Sequence, residues 1–260
     1  MNIVVLVKQV PDTYSERKLR GQDGLIDRES GEVVLDEINE KAVEAALRLK
    51  EAHDGSVTVL TVGPDQAADA LRKALSMGAD KAVHLADDGV AGSDAVSTAM
   101  VLAKAIGTVD GVDLVIAGNE ASDGRGGAVP AMVADLLGWP AVTHAREFTV
   151  EGDAVAARRE TDDGVTHLTA TLPAVVTVGE KVNEPRYPSF KGIMAAKKKP
   201  VAVITLADVG IPGGAVGRAH SLTTVTAATP KPPKSAGAKF TDEGDGGDKI
   251  AAYLVGQKLI

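Results

Sequence analysis

The chain has 260 residues, 44% of them hydrophobic and 25% charged, with a net charge of −8 and no cysteine. This length suits one large α/β domain or two small ones, and the composition excludes wholesale disorder. The lack of cysteine excludes disulfides, Cys-ligated zinc and iron–sulfur clusters. No apolar run reaches the roughly 18–20 residues of a membrane-spanning helix.

Charge and the opening residues narrow the class of protein further. The acidic balance argues against nucleic acid as a partner, and 3% aromatic residues leave few side chains for base stacking. The first dozen residues lack the basic region of a signal peptide and instead predict a strand. We therefore expect a cytoplasmic protein that is not embedded in a membrane.

The first half of the chain alternates short apolar runs with amphipathic stretches. We predict strands over 3–7, 57–62, 81–85 and 114–117, and helices over 39–51, 66–77, 93–106 and 126–137. A β-hairpin is predicted over 21–35, where Asp23-Gly24 and Ser30-Gly31 supply turns. This alternation is typical of a doubly wound α/β sheet with mainly parallel strands.

The pattern changes after residue 140. Short alternating runs at 145–150, 154–159 and 166–171 predict a β-meander added to the sheet, and 172–178 predicts another buried strand. Residues 207–260 are rich in glycine and proline and end in a predicted helix over 248–257. We therefore predict one α/β domain over 1–206 and an extended C-terminal arm over 207–260 that lies on a partner subunit.

The chain contains residues that can serve in catalytic and metal sites, but they do not have the spacing that such sites need. The five histidines are scattered through the chain, and there is no nucleophile elbow, Walker A loop or HExxH motif. We predict no catalytic residue and no metal site.

A glycine loop, residues 118–129 (GNEASDGRGGAV), lies between a predicted strand and a predicted helix. Its four glycines allow close backbone approach, the following helix offers free N–H groups to an anion, and Ser122 and Arg125 can bind phosphate. The loop therefore predicts a nucleotide phosphate site, flanked by 7–10, 36–39 and 62–64. The alternative is a loop that is merely flexible.

Residues 183–200, which we call the docking segment, place Phe190, Ile193 and Met194 in a polar, Pro-broken stretch beside three lysines. This pattern favours an apolar anchor for a partner's pocket, with charges that steer the encounter. The alternative is a solvated basic run whose apolar residues pack into the core.

Four segments of the chain resemble the β subunit of electron transfer flavoproteins, and the resemblance runs from residue 1 to near the end. They are VLVKQVPD at 5–12, ALSMGADKAVHL at 74–85, LVIAGNEASDG at 114–124 and LPAVVTVGEKVNEPRYPSFKGIMAAKKKP at 172–200. The last segment is the most specific of the four. The resemblance implies an adenine-nucleotide-binding, Rossmann-like fold and a heterodimer.

In that family the α subunit holds the redox-active FAD and the β subunit holds AMP with a structural role. Two sites of this chain depart from the family, which often has Asn-Pro-aromatic at Asp36-Glu37-Ile38 and glutamine at Ala128. The AMP contacts that the resemblance implies are Leu6, Asp36, Glu37, Ile38, Asn39, Val62, Gly118, Asn119, Glu120, Ala121, Ser122, Asp123, Gly124, Arg125, Gly126, Gly127, Ala128 and Val129.

The resemblance also implies partners. The docking segment would bind acyl-CoA dehydrogenases and related flavoenzymes of fatty acid β-oxidation through Tyr187, Phe190, Ile193 and Met194, with Phe190 where the family often has leucine. Glu160 matches a carboxylate that pairs with an arginine of the mobile FAD domain of the α subunit; the alternative is an ordinary exposed charge. Electrons would leave through a membrane quinone reductase, the ETF–quinone oxidoreductase, so this chain would be a carrier subunit and not an enzyme.

Two other interpretations remain open. In the flavin-bifurcating members of the family, a second FAD replaces AMP. A protein that binds adenine nucleotides alone, as a sensor or ATPase, is the other alternative. Against it, Lys8–Asp12 stands where such proteins carry a Ser-Gly-Gly-x-Asp-Ser loop after the first strand.

Overall fold

The computed structural model describes residues 1–16, 18–21, 23–229, 231–234 and 236–260, which form two units, Met1–Thr226 and Ala227–Ile260. The strands are β1 Asn2–Leu6, β2 Gln9–Pro11, β3 Val33–Leu35, β4 Ser56–Val62, β5 Lys81–Leu85, β6 Leu114–Gly118, β7 Ala141–Glu151, β8 Ala154–Thr161, β9 Gly164–Thr171, β10 Ala174–Val178 and β11 Val201–Ile204. The α-helices are α1 Glu37–His53, α2 Ala68–Met77, α3 Ala95–Ile106, α4 Val129–Leu137, α5 Phe190–Ala196 and α6 Gly246–Gly256.

Within the described residues, nine strands form one sheet in the order β11-β5-β4-β1-β6-β10-β7-β8-β9. The strands from β11 to β7 pair in parallel, and β7, β8 and β9 continue the sheet as an antiparallel meander. The predicted mainly parallel α/β sheet with an added meander is confirmed. Chain order reverses at β1, whose neighbours are β4 and β6, so the sheet has its topological switch point there.

Apolar residues are buried on both faces of this sheet. Ile3 and Val5 of β1 pack with α1 and α2, whereas Val4 and Leu6 pack with α3 and α4. Because both faces are covered, the central strands are continuous apolar runs without polar alternation.

The hairpin predicted over 21–35 is wrong in its pairing. β3 pairs with β2 in a separate antiparallel ribbon, and Ile26 bridges back to Leu19. Residue 22 of this prediction lies outside the described residues. Pairing with strand residues 9–11 is non-local, so turn residues within 21–35 could not reveal it.

The docking segment is not a loop throughout, because it contains α5. The side chain of Ser189 caps this helix by accepting a hydrogen bond from the backbone N–H of Gly192. Helix α4 begins at Val129, three residues later than predicted, since Arg125 and Gly127 have φ angles of 50° and 64° that no helix contains.

Residues beyond 206 still belong to the first unit, because Val209, Ile211 and Val216 are buried in its core. The second unit contains α6, and the ring of Phe240 lies edge-on to that of Tyr253 at a centroid distance of 6.3 Å. Residues 230 and 235 of the predicted arm lie outside the described residues. None of the described helices is long and apolar enough to cross a membrane.

Candidate functional site

A cavity of about 440 Å³ lies where β1, β4 and β6 end, at the switch point of the sheet. Open α/β sheets bind their ligands at this place. We call it the glycine-loop cavity, because residues of the glycine loop form one wall. Its lining residues are Leu6, Val7, Lys8, Asn39, Val62, Ala95, Thr98, Leu102, Ala117, Gly118, Glu120, Ala121, Asp123, Gly124, Arg125, Gly126, Gly127, Ala128, Val129 and Pro130.

The glycine loop is shaped for close approach. A Cβ atom on Gly118 would lie 2.7 Å from Nδ2 of Asn39, so only glycine lets the end of β6 pass this close to α1. At Gly124 and Gly126, by contrast, a Cβ atom would meet nothing within 4 Å. Helix α4, which follows the loop, has no side-chain cap, and its second residue, Pro130, has no N–H, so the N–H groups of Val129 and Ala131 are the ones that an anion could use.

Asp36 positions this loop. Its side chain is fully buried and accepts hydrogen bonds from the backbone N–H groups of Ile38 at 2.9 Å, Asn39 at 3.3 Å and Ser122 at 2.7 Å. One carboxylate therefore caps the start of α1 and ties the glycine loop to it. Asn39 links α1 to the residues that follow β1, since its Oδ1 accepts a hydrogen bond from the backbone N–H of Lys8 at 2.8 Å.

Most of the residues predicted to contact AMP line this cavity, and five do not. The carboxylate of Asp36 is engaged by backbone groups, and Glu37 is exposed and accepts a hydrogen bond from Thr13. Ile38 and Asn119 line a different cavity, and Ser122 is buried within the loop. Of these five, Asp36 and Ser122 hold the glycine loop in place through the bond between them, whereas Glu37, Ile38 and Asn119 lie outside this cavity.

Charges surround the glycine-loop side of the cavity. The side chain of Asp123 is 1% exposed and pairs with Lys8 Nζ at 2.9 Å and with Arg28. Burial opposes ionisation of Asp123, but the positive charges of Lys8 and Arg28 outweigh it and lower the pKa of this carboxyl. Arg125 pairs with Glu120 at 3.0 Å. Among the lining residues, Lys8 and Arg125 stand against Glu120 and Asp123, and Arg28 adds a third cationic group beside Asp123 without lining the cavity.

Sequence analysis missed part of the cavity lining. Leu6 and Val62 were predicted to contact AMP, but Ala95, Thr98 and Leu102 of α3 were not. Their helix follows β5, and its place over the switch point depends on the strand order. No local signal in the α3 sequence could have revealed this.

A second cavity of about 450 Å³, the meander cavity, lies between the glycine loop, β7, β8 and residues 179–182. Glu160 lines it and pairs with Arg158 and, at 3.5 Å, with Nε of Arg146. Oδ1 of Asn119 is buried there without a hydrogen-bond partner. The region thus holds a paired carboxylate and a free acceptor atom.

The four predicted anchors of the docking segment are exposed. Tyr187 is 94% exposed and Phe190 81%, and Ile193 and Met194 are about half exposed. The alternative in which these side chains pack into the core is therefore contradicted. Among the described residues, no group of three or more His, Cys, Asp or Glu side chains is placed to hold a metal ion.

Comparison with known proteins agrees with this architecture. Residues 23–209 match the family model described as electron transfer flavoprotein domain. The chain is 61% identical to the electron transfer flavoprotein subunit beta of Mycobacterium tuberculosis, over 100% of this chain and 99% of the relative. It is 36% identical to the subunit beta of Megasphaera elsdenii over 100% of both chains. It is also 36% identical to the caffeyl-CoA reductase–Etf complex subunit CarD of Acetobacterium woodii, over 98% of this chain and 97% of the relative.

The family model covers well over half of the chain, and these relatives align along nearly all of it. The resemblance read from the four sequence segments is confirmed. This chain belongs to the electron transfer flavoprotein family, among its β subunits.

Proposed function

We propose that this chain is the β subunit of a heterodimeric electron transfer flavoprotein whose α subunit holds the redox-active FAD. Electrons pass from acyl-CoA dehydrogenases and related flavoenzymes to that FAD, and then to the ETF–quinone oxidoreductase. This chain supplies the scaffold, the docking segment and a structural AMP site. Glu160 pairs with an arginine of the mobile FAD domain, and no residue of this chain performs chemistry on a substrate.

The glycine-loop cavity is the observation that carries the AMP assignment. Leu6, Val62 and Leu102 supply apolar lining for adenine, and the backbone N–H groups of the glycine loop and the start of α4, with Lys8 and Arg125, supply donors for one phosphate. A volume of about 440 Å³ suits a mononucleotide. FAD has more than twice as many non-hydrogen atoms as AMP, so a second FAD requires a larger space.

Native mass spectrometry of the heterodimer, followed by denaturation and identification of the released nucleotides, tests this proposal. We expect one FAD and one AMP per heterodimer. Two FAD molecules would instead indicate a bifurcating protein. A lone chain carrying ATP, without affinity for an α subunit, would contradict the proposal and favour a stand-alone nucleotide-binding protein.

The docking role predicts that Phe190→Ala slows electron transfer from a reduced acyl-CoA dehydrogenase to the heterodimer. Phe190 is the most exposed apolar side chain of α5, so its truncation removes an anchor while leaving the core intact. Leu136→Ala, which truncates an exposed apolar residue of α4, is the matched control. Stopped-flow reduction of FAD measures the rate, and an unchanged rate in Phe190→Ala would exclude the docking role.

A further inference from the structure

The docking segment combines exposed anchors with a backbone that is fastened to the first unit at both ends. Its anchors face solvent, yet the residues between and beside them bind α1 and α2. A segment that served only as solvated surface would not need these bonds to α1 and α2.

A buried carboxylate fastens the beginning of the segment. Glu44 of α1 is only 3% exposed. Its Oε2 accepts from Nε of Arg186 at 2.7 Å and from the backbone N–H of Arg186 at 3.2 Å, and its Oε1 accepts from Arg48 at 2.7 Å. Arg186 also forms two hydrogen bonds with Glu51, at 2.5 and 3.1 Å. We call Glu44, Glu51 and Arg186 the clamp.

Backbone groups reinforce this attachment. Nζ of Lys41 donates to the carbonyl of Asn183 at 2.8 Å, and Nδ2 of Asn183 donates back to the carbonyl of Lys41 at 3.0 Å. This reciprocal pair of hydrogen bonds holds the backbone of Asn183 against α1, three residues before Arg186.

The end of the segment is fastened to α2. Nζ of Lys199 donates to the carbonyl oxygens of Leu75 at 2.9 Å and Ala79 at 2.5 Å, at the C-terminal end of that helix. Gly192 of α5 lies so close to α2 that a Cβ atom on it would be 2.5 Å from the carbonyl oxygen of Ser76. The seven-residue helix between these attachments is therefore held against the domain.

We propose that Glu44 and Arg186 are positioning residues for partner docking, which hold the docking segment so that Phe190 and its neighbours are presented before the flavoenzyme arrives. This inference rests on the docking role proposed above. A segment ordered in advance avoids part of the entropy loss that association otherwise requires. If the presented conformation falls to about one tenth of the population, the apparent affinity falls about tenfold.

Arg186→Gln in the FAD-loaded heterodimer is the direct test. It removes the guanidinium bonds to both carboxylates without changing an exposed anchor, and it keeps the backbone N–H bond to Glu44. We expect faster hydrogen exchange of the amides of residues 187–196 and a roughly tenfold lower kcat/KM for electron transfer from a reduced acyl-CoA dehydrogenase, with unchanged FAD content. Arg186→Lys keeps one charged bond and should recover part of both effects. Arg72→Gln, which breaks an exposed pair with Asp69 at 3.0 Å, should change neither.

A double-mutant cycle with Phe190→Ala separates positioning from general stability. Once Phe190 is truncated, the segment positions only the remaining anchors, so Arg186→Gln should lower the rate less in Phe190→Ala than in the natural chain. Full additivity, or a normal transfer rate despite faster exchange, would overturn the positioning role. Unchanged exchange in Arg186→Gln would overturn it as well. If Phe190→Ala alone leaves the rate unchanged, the docking role itself fails, which is a different result.

Discussion

Gly118 and Gly126 of the glycine loop differ in the space that surrounds an added Cβ atom. At Gly118 a Cβ atom would lie 2.7 Å from Nδ2 of Asn39 and 3.0 Å from Ile38, whereas at Gly126, which lines the cavity, it would meet no atom within 4 Å. The first glycine is therefore required by the protein's own packing, and that packing places no such requirement on the second.

We propose that Gly126→Val lowers the AMP content of the heterodimer, because a branched side chain at the cavity lining would crowd the phosphate. The melting temperature of the nucleotide-free form should stay unchanged, because a Cβ atom there meets no protein atom within 4 Å. Nucleotide released on denaturation gives the content, and a thermal melt gives the stability. Gly213→Val is the control, since that exposed glycine also has open space around its Cβ position but lies outside the cavity lining. Full AMP occupancy in Gly126→Val would remove this loop from the site.

Two buried carboxylates make the chain sensitive to acid. For both Glu44 and Asp123, burial opposes ionisation, but bonds and charges from basic neighbours lower the pKa below the ordinary values of 4.5 and 3.8. A lowered pKa in the folded state contributes stability that is complete above the ordinary value and is lost as pH falls through the folded value. The free energy of unfolding should therefore decline below about pH 4.5.

Asp123→Asn should be less stable at neutral pH, by roughly 1–3 kcal/mol for lost charged hydrogen bonds, and its stability should fall less steeply in acid. Urea unfolding of the purified chain between pH 7 and pH 3 measures both effects. Asp69→Asn, which breaks an exposed pair, should keep the acid profile of the natural chain. An equally steep decline in Asp123→Asn would show that Asp123 does not contribute to the acid sensitivity.

For single residues, sequence analysis finds those that belong to a local pattern and misses those that bond to residues far away in the chain. The glycine loop was predictable because a strand, four glycines and a helix follow one another directly. The bond from Ser122 to Asp36 joins residues 86 positions apart, and the pairing of Arg186 with Glu44 spans 142. Neither pair has a local pattern, so their positioning roles required the fold.

The same distinction between local patterns and long-range contacts applies to whole strands and helices. Strands β1 and β6 were predictable because each contains a continuous apolar run that is buried on both faces. Helix α5 was missed because it has only seven residues, and its apolar residues Phe190, Ile193 and Met194 are about half exposed or more, so it lacks an amphipathic pattern of useful length. Its position depends on contact with α2, which the sequence of residues 183–200 does not reveal.

Gly192→Ala should show this dependence. Alanine normally stabilises a helix relative to glycine by roughly 0.5–1 kcal/mol. At Gly192, however, the added Cβ would lie 2.5 Å from the Ser76 carbonyl oxygen, so α5 must move off α2. We expect a lower melting temperature and faster hydrogen exchange in α5. Gly247→Ala in α6 meets nothing within 4 Å and is the control; a stabilised Gly192→Ala would contradict the close packing.

On the scale of the whole molecule, the two units differ in how they are stabilised. Both apolar core clusters lie in the first unit. In the second unit, α6 has no buried residue among those described, and Phe240, Ile250, Tyr253, Val255, Leu259 and Ile260 are exposed. Exposed apolar side chains on a short helix and on the residues beside it are typical of a surface that a partner covers.

A chain that ends at Thr226 should therefore fold but associate poorly. Because its core is complete, it should keep the melting temperature and AMP binding of the first unit. Because it lacks the exposed apolar residues of the second unit, it should lose most of its affinity for the α subunit in co-purification and analytical ultracentrifugation. A full-length chain carrying Phe240→Ser and Tyr253→Ser tests the same surface without truncation and should weaken association in the same direction. If the shortened chain still forms a heterodimer with normal FAD content, the first unit alone holds the partner, and the second unit is not the principal contact.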